Sequence, residues 1–201
     1  MARSIASGLN HLHCEVPSAQ HSKPAIAHRD LKSKNILVKN DLSCAIGDMG
    51  LAVRYDLTTG RLDLPDNNKV GTRRYLAPEI LSDTFNNGQF DAYKCADIYS
   101  LGLVLWEICR RTDIGGLHDT YALPYFDCVS SDPSLEEMKR IVCDERKRPT
   151  ISNRWRSIAP LSTMTTLVCE CWAHSPSARL TALRVRKSVD LLSGQLGVCS
   201  V

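Results

Sequence analysis

One segment of this chain, from Ala96 to about Cys109, is apolar on every face of the helix that it predicts. Its apolar residues include Ile98, Leu101, Leu103, Val104, Leu105, Trp106 and Ile108. A helix without a polar face is stable only inside a protein, because no side of it can face water at low cost. A chain of 201 residues is long enough to bury about 70% of its unfolded surface around such a helix. The rest of the chain must therefore pack around this central helix, predicted over about 96–109.

Apolar side chains recur at helical spacing in several other segments, and each predicts a helix with one buried face. Ser134 and Glu137 form a capping box at the start of one of them, in which Ser134 caps the helix and Glu137 reaches back. The segments are 2–12, 135–142 and 161–172, and a last helix is expected to begin near Thr181. The expected fold is therefore mainly α.

The stretch between the first and central helices has a different pattern. Two short apolar runs, 36–38 and 44–46, flank the turn residues Lys39-Asn40-Asp41 and predict a small β-hairpin. The residues over 48–76 are polar and rich in turn formers, and we expect a long loop. A loop of that length inside a compact domain usually carries function.

The composition argues against several classes of function. The formal net charge is only +3, which is too small to indicate binding to nucleic acid or to a membrane surface. Nine cysteines occur at irregular spacing, so buried thiols in a reducing compartment explain them better than disulfides do. The longest apolar stretch, 98–108, is far shorter than the roughly 20 residues that a membrane span needs. The sequence therefore predicts a cytosolic location and no membrane-spanning segment in this chain.

Two groups of histidines and cysteines leave a metal site open as an alternative. They are His11, His13 and Cys14, and Cys169, Cys171 and His174. Neither group has the paired spacing of a structural zinc site. Cysteines two positions apart in a helix also lie on different sides of it. We therefore favour structural roles for these side chains.

The run from His28 to Asn35, HRDLKSKN, carries side chains suited to phosphoryl transfer. That reaction needs a carboxylate to orient the attacking hydroxyl and accept its proton, and we predict this role for Asp30. It needs a cation beside the transferred group, which Lys32 can supply. It also needs oxygen ligands for Mg²⁺, which suits the side-chain amide of Asn35. His28 and Arg29 are expected to support this loop.

Two further short motifs follow in a fixed order. Gly47-Asp48-Met49-Gly50 comes directly after the predicted hairpin, so Asp48 is placed as the main Mg²⁺ carboxylate. Gly50 would give the backbone the freedom to turn away. Ala77-Pro78-Glu79 closes the long loop. Each motif alone is weak evidence, but three in this order, separated by a hairpin and a long loop, indicate one site strongly.

The three motifs together resemble those of the protein kinase family. The resemblance implies a partial kinase domain over 1–194, corresponding to the C-terminal lobe, with 28–35 as catalytic loop and 48–79 as activation segment. Residues 195–201 would form a C-terminal tail. The N-terminal lobe is expected to be absent, because no Gly-rich phosphate loop, strand lysine or partnering helix glutamate precedes the first helix.

The resemblance also assigns supporting residues. Asp97 is expected to brace the backbone of the catalytic loop, and Arg179 is expected to pair with Glu79. Lys32 and Gly71-Thr72 resemble serine/threonine kinases, since tyrosine kinases differ at both places. Thr72 is therefore expected near the catalytic aspartate, where it shapes the site for an aliphatic hydroxyl.

Longer stretches are similar to the type I receptors of the transforming growth factor beta superfamily. They are 71–79, 123–127, 131–134, 148–149, 153–155 and 170–172. The resemblance implies a receptor serine/threonine kinase that uses ATP and Mg²⁺, with Mn²⁺ as a substitute. It implies a type II receptor kinase as partner and Smad-like substrates, without nucleic acid. It places the domain at the cytosolic side of the plasma membrane, in a single-pass receptor whose membrane span lies upstream.

Two hypotheses of different classes follow. In the first, the full-length protein phosphorylates serine or threonine on cytosolic signalling proteins, although a pseudokinase parent stays open. In the second, the chain is a truncated, catalytically deficient fragment that acts as a binding module or is a partial gene product, because ATP is held between two lobes.

Phosphorylation in the activation segment also stays open, with Arg29 as the partner of an added phosphate. The candidate sites are Tyr55, Thr58, Thr59 and Tyr75.

Overall fold

The computed structural model describes residues 1–18, 22–56, 59–64 and 71–195. Thr58 and residues 196–201 of the expected tail lie outside them. The helices are α1 (Ala2–His13), α2 (Pro78–Leu81), α3 (Phe90–Arg111), α4 (Leu135–Lys139), α5 (Asn153–Arg156), α6 (Ala159–Cys171) and α7 (Ala182–Gln195). The strands are β1 (Ala25–Ala27), β2 (Ile36–Val38), β3 (Cys44–Ile46), β4 (Val53–Asp56) and β5 (Arg61–Asp63). The prediction of a mainly helical fold is confirmed for this part of the chain.

Helix α3 lies at the centre of the hydrophobic core. Every residue from 96 to 107 is buried, which confirms the central helix that the sequence predicts. Gly102, which interrupts the apolar run, lies where α6 crosses α3. A Cβ on Gly102 would lie 2.9 Å from the Cβ of Cys171, so the glycine permits the close approach of the two helices. Across the described residues, no helix has both the length and the apolarity to cross a bilayer.

Helix α1 packs against α7 and strand β3. Its buried face consists of Ile5, Ala6, Leu9 and His13, which confirms the helical spacing at the start of the chain. The Arg3 side chain donates a hydrogen bond to Asp190 of α7 at 2.8 Å. This packing fixes the end of α1, and therefore His13, beside the core.

The predicted hairpin is present as β2 and β3. The strands are antiparallel, with Ile36 opposite Ile46 and Val38 opposite Cys44. The register brings the residues before β2 and after β3 side by side. The hairpin therefore connects the first and second sequence motifs.

A second sheet was not predicted. Strand β4 lies between β1 and β5 and is antiparallel to both. The prediction that 48–76 is entirely loop is therefore wrong for β4 and β5. Strands of three or four residues are too short to show a period, and β4 finds its partner β1 only through the tertiary fold. Tyr55 of β4 stacks on Phe90 of α3 with ring centres 5.2 Å apart, which joins this sheet to the central helix.

The predicted cap of α4 is present. The Ser134 hydroxyl oxygen accepts a hydrogen bond from the Glu137 backbone N–H at 3.0 Å. The Glu137 carboxylate accepts its shortest hydrogen bonds from the backbone N–H and the hydroxyl of Ser130, at 2.7 and 3.0 Å. These bonds lower the pKa of Glu137, and the Ser134 backbone N–H contributes to the same shift. Glu137 therefore anchors the loop before α4.

Candidate active site

Asp97 of α3 holds the loop that follows strand β1. Its Oδ2 accepts a hydrogen bond from the backbone N–H of His28 at 2.7 Å, and its Oδ1 accepts one from the backbone N–H of Arg29 at 2.8 Å. Arg29 has a left-handed backbone, with φ of 69°. A residue with a side chain keeps this conformation only where its surroundings compensate for the strain. Asp97 therefore contacts the backbone of the loop, as the resemblance to kinases implied.

The His28 ring is buried and is held in one tautomer. Its Nδ1 accepts a hydrogen bond from the backbone N–H of Asp30 at 3.2 Å, and its Nε2 lies 2.9 Å from the carbonyl oxygen of Gly47. A carbonyl oxygen only accepts hydrogen bonds, so Nε2 carries the proton. The ring therefore links the Asp30 loop to the residue that precedes Asp48.

His13 is a supporting residue that the sequence reasoning missed. Its Nε2 donates a hydrogen bond to Asp97 Oδ2 at 2.9 Å, and both side chains are buried. The two residues are 84 positions apart, so no local signal could have paired them. From the sequence alone, His13 was considered together with His11 and Cys14 as an alternative metal site. Within the described ranges, no group of three or more histidine, cysteine or acidic side chains is placed to hold a metal ion.

Asp30 lies at the centre of a polar cluster. Its Oδ1 accepts hydrogen bonds from the backbone N–H and the hydroxyl of Thr72, both at 2.7 Å. Its Oδ2 accepts hydrogen bonds from Lys32 Nζ at 2.6 Å and from Asn35 Nδ2 at 3.4 Å. Lys32 Nζ also donates to the Thr72 hydroxyl oxygen at 2.7 Å. The structure thus brings together four residues that the sequence assigned to one site.

Gly71 determines how closely Thr72 approaches this cluster. Its φ is +115°, a conformation that favours glycine. A Cβ on Gly71 would lie 2.8 Å from the carbonyl oxygen of Arg29 and 3.1 Å from Leu76 Cδ2. Any side chain would therefore push the segment away from the loop, and Thr72 would lose its contact with Asp30.

The hairpin places Asn35 next to the Gly47-Asp48 pair. The Gly47 backbone N–H donates to the Asn35 carbonyl oxygen at 2.8 Å, one step beyond the ladder of β2 and β3. Asn35 Nδ2 donates to the Asp30 carbonyl oxygen at 2.9 Å, so the amide oxygen is the atom left to bind a cation. Asp48 is exposed, and amide and carboxylate oxygens are both ligands that Mg²⁺ accepts. The left-handed residue here is Asp48, with φ of 61°, whereas Gly50 is not left-handed.

Glu79 and Arg179 form a bidentate ion pair inside the protein. The two N–O distances are 2.7 and 2.6 Å, and the side chains of Arg179 and Glu79 are 0% and 8% exposed. Arg179 also donates to the carbonyl oxygens of Ala173, Cys95 and His174, at 2.9, 3.0 and 3.1 Å. The expected partners therefore meet, and they join the start of α2 to the turn that precedes α7.

A buried contact beneath the site was not predicted. The Tyr75 hydroxyl donates to Glu107 Oε1 at 2.6 Å and lies 3.2 Å from the Ser33 hydroxyl. Glu107 is 5% exposed, and its Oε2 has no hydrogen-bond partner among the described residues. Burial is the largest cause that raises the pKa of Glu107, to about 7. Because Tyr75 is buried and hydrogen-bonded, the structure argues against it as a phosphorylation site.

The Arg29 side chain lies between the central helix α3 and the segment before β4. Its guanidinium group lies 5.6 Å from the ring centre of Tyr93, and its Nη1 donates to the carbonyl oxygen of Leu51 at 3.4 Å. Burial lowers its pKa. Arg29 therefore lies beside the segment that leads into β4. Its pairing with an added phosphate stays a prediction.

Comparison with known proteins agrees with this geometry. Residues 1–189 match the protein kinase domain, and the chain belongs to the protein kinase family. Over 198 residues it is 54% identical to TGF-beta receptor type-1 of Homo sapiens, which covers 98% of this chain and 39% of the receptor. It is 56% identical to activin receptor type-1B of Homo sapiens over 195 residues, or 97% of this chain and 38% of the receptor. The resemblance to type I receptors is thereby confirmed, and the chain spans about two fifths of the length of these relatives.

Proposed function

We propose that residues 1–194 form the C-terminal lobe of a receptor serine/threonine kinase. In its complete form the kinase transfers the γ-phosphate of ATP to serine or threonine of cytosolic signalling proteins. The observation that carries the proposal is the cluster of Lys32, Asn35 and Thr72 around the Asp30 carboxylate. The similarity to TGF-beta and activin receptors supports the receptor class.

Asp30 is proposed as the base. Its carboxylate orients the hydroxyl of the acceptor residue and accepts the hydroxyl proton as the oxygen bonds to the γ-phosphorus of ATP and ADP leaves. The Thr72 hydroxyl and N–H hold one carboxylate oxygen at 2.7 Å, so the orientation of the base is fixed before the substrate arrives. Lys32, 2.6 Å from the other oxygen, supplies positive charge next to the developing negative charge.

Asn35 and Asp48 are proposed as the Mg²⁺ ligands, with Mn²⁺ as a substitute. The Gly47 backbone N–H donates to the Asn35 carbonyl oxygen at 2.8 Å, so Asp48 directly follows a residue that contacts Asn35. When bound, the cation neutralises charge on the phosphate oxygens of ATP. The Asn35 amide nitrogen donates a hydrogen bond to the Asp30 carbonyl oxygen, and this bond holds the proposed metal ligand next to the proposed base.

The Asp30→Asn substitution tests the base assignment. The chain is joined to the upstream part of the kinase domain of activin receptor type-1B, and transfer of labelled phosphate from ATP is measured. We expect Asp30→Asn to lower the transfer rate about 100- to 10,000-fold while ATP binding persists. Asp144→Asn, at an exposed acid far along the chain, is the control and should transfer normally. Undiminished transfer by Asp30→Asn contradicts the proposal.

The receptor context is part of the same proposal. The similarity to type I receptors supports a type II receptor kinase as partner, Smad-like proteins as substrates, and a position at the cytosolic side of the plasma membrane in a single-pass receptor. Phosphorylation of a purified Smad protein by the joined form, compared with an unrelated serine-containing protein, tests the substrate class. Equal phosphorylation of both proteins contradicts it.

A second function concerns the 201-residue chain by itself. The hairpin exposes Leu37, Val38 and Leu42, at 60%, 55% and 63%, next to the proposed metal ligands. Leu37 and Val38 are consecutive in β2, so the hairpin exposes apolar side chains on both of its faces. Exposed apolar side chains that lie close together in the chain are typical of a binding surface. We propose that this hairpin binds the nucleotide-binding lobe of a kinase and that the chain alone has negligible activity. Robust turnover by the purified chain that depends on Asp30 would refute this.

A further inference from the structure

A groove of about 510 Å³ begins beside the Asp30 cluster and leads away from it. Lys32 and Thr72, two of the side chains hydrogen-bonded to Asp30, are part of its wall. Asp132 is the only carboxylate in the wall formed by the described residues, which contains four cations. They are Lys32, Lys34, Arg73 and Arg74. The groove is therefore positively charged next to the proposed site of phosphoryl transfer.

Two of the four cations are committed to the protein itself. Lys32 bonds Asp30 and Thr72 at 2.6 and 2.7 Å. Arg74 is buried and donates to the carbonyl oxygens of Pro124, Ser130 and Ser131, so it shapes the wall. Neither side chain can turn to a ligand without losing these hydrogen bonds.

The other two cations face solvent. Lys34 is exposed. Arg73 Nη1 lies 3.3 Å from Asp132 Oδ1 and 3.2 Å from the Pro133 carbonyl oxygen. The Arg73 and Asp132 side chains are 50% and 92% exposed, and such a pair contributes little stability. A carboxylate from a ligand can therefore replace Asp132 at low cost.

Other residues of the groove wall suit a polypeptide. Tyr121 and Leu123 are exposed, and Pro133 is also part of the wall. An aromatic and an aliphatic side chain offer apolar contact to an extended chain, while the cations discriminate between its side chains. The groove thus combines non-specific contact with a preference for negative charge.

We propose that this groove selects acceptor polypeptides in which acidic side chains lie close to the serine or threonine, with Lys34 and Arg73 binding the carboxylates. The proposal rests on the kinase function proposed above, and it names the class of substrate. Asp132 is the internal competitor: it holds Arg73 until an acidic side chain of the substrate replaces it.

Fluorescence anisotropy with the 201-residue chain tests this without any need for catalysis. The probes are a labelled, C-terminally amidated peptide with one serine between glutamates and the same peptide with glutamines. We expect tighter binding of the glutamate peptide at low salt and a loss of this preference at high salt. Lys34→Ala and Arg73→Ala should each weaken binding of the glutamate peptide by up to about five-fold. Lys187→Ala, an exposed lysine on α7, should leave it unchanged.

Asp132→Asn provides the sharper test, because a purely structural role of this residue would not improve binding. Removing the competitor should tighten binding of the glutamate peptide by up to about five-fold and leave the glutamine peptide unaffected. The folding of each variant is checked by circular dichroism and thermal unfolding.

Several outcomes overturn the proposal. They are the absence of binding by the glutamate peptide, equal binding of both peptides, and a preference for glutamate that survives the Lys34→Ala/Arg73→Ala double substitution. Equal or tighter binding of a single-stranded oligonucleotide, with the same dependence on these two residues, would assign the groove to a different polyanion. If the glutamate peptide binds more tightly than the glutamine peptide but the joined form transfers no phosphate, the proposed kinase function is contradicted and the preference of the groove for acidic peptides is not. Transfer to both peptides at equal rates contradicts the substrate class alone.

Discussion

Replacement of Arg179 by methionine would leave the Glu79 carboxylate buried without its charged partner. Methionine is similar in length to the aliphatic part of arginine, so the substitution removes the donors with little change in packing. Water cannot solvate the remaining charge, because the Arg179 and Glu79 side chains are 0% and 8% exposed. Three backbone carbonyl groups, those of Ala173, Cys95 and His174, would lose their hydrogen bonds from Arg179 as well.

The expected loss is large because the pair is buried. Removal of one partner of a buried ion pair costs about 3–5 kcal/mol, whereas an exposed pair contributes about 0–1 kcal/mol. Arg73 and Asp132, with side chains 50% and 92% exposed, form such an exposed pair in the same chain. We therefore expect Arg179→Met to lower the free energy of unfolding by about 3–5 kcal/mol, and the matched control Arg73→Met by less than about 1 kcal/mol.

Urea-induced unfolding, followed by tryptophan fluorescence, measures these losses, since all three tryptophans are buried. The double variant Glu79→Met/Arg179→Met removes both charges, so it should be more stable than Arg179→Met alone. The reasoning is refuted if Arg179→Met costs less than about 1 kcal/mol. It is also refuted if the loss in the double variant equals the sum of the two single losses, because independent residues would behave in that way.

Three further predictions concern the core and the loop. Gly102→Ala places a methyl group 2.9 Å from the Cys171 Cβ and should cost about 1–3 kcal/mol, whereas Gly194→Ala on α7 contacts nothing within 4 Å and should stabilise the protein by about 0.5–1 kcal/mol; urea unfolding measures both. The pKa of Glu107 is raised from 4.5 to about 7. The contribution of Glu107 to the free energy of unfolding is therefore fully present below about pH 4.5 and is lost as the pH rises through about 7. Glu107→Gln should remove this loss of up to about 3 kcal/mol, measured by unfolding at a series of pH values. Asp97→Ala removes the acceptor of two backbone N–H groups of the loop, so hydrogen exchange there should accelerate and stability should fall by about 1–3 kcal/mol for each donor left unpaired.

Matched substitutions serve as controls for these predictions. Glu170→Gln, at an exposed acid on α6, should retain the pH dependence of the unsubstituted protein, and Asp91→Ala, at an exposed acid on α3, should leave exchange in the loop unchanged. The prediction for Glu107 is wrong if its glutamine variant has the same pH dependence as the Glu170 control. The packing argument for Gly102 is wrong if its alanine variant is as stable as the Gly194 variant.

Local patterns in the sequence predicted most of the helices and the hairpin. The run that is apolar on all sides predicted the buried part of α3, and apolar spacing predicted α1 and α6. The last helix was expected to begin near Thr181, and α7 begins at Ala182. These elements could be predicted because their signal comes from residues a few positions apart. The same holds for the Ser134 cap, which needs only the N–H group three residues later.

The candidate site was also accessible from the sequence, for a different reason. Asp30, Lys32 and Asn35 lie within one short loop, so their residue types and spacing indicate their chemistry directly. Thr72 and Asp97 could be placed only through the resemblance to kinases, since each lies far from the loop in sequence. In the structure both contact this loop through hydrogen bonds of 2.7–2.8 Å.

The sequence by itself thus determined the helical core, the hairpin and the chemistry of the loop that carries Asp30, Lys32 and Asn35. Contacts between distant residues were decided only by the tertiary structure. His13 and Asp97 are 84 positions apart, and Tyr75 and Glu107 are 32 positions apart. Strands β4 and β5 are too short to show a period, and their pairing depends on where β1 lies. A hydrogen-bond partner, or the space beside a glycine, depends on where distant segments meet in three dimensions. Local spacing does not encode that position.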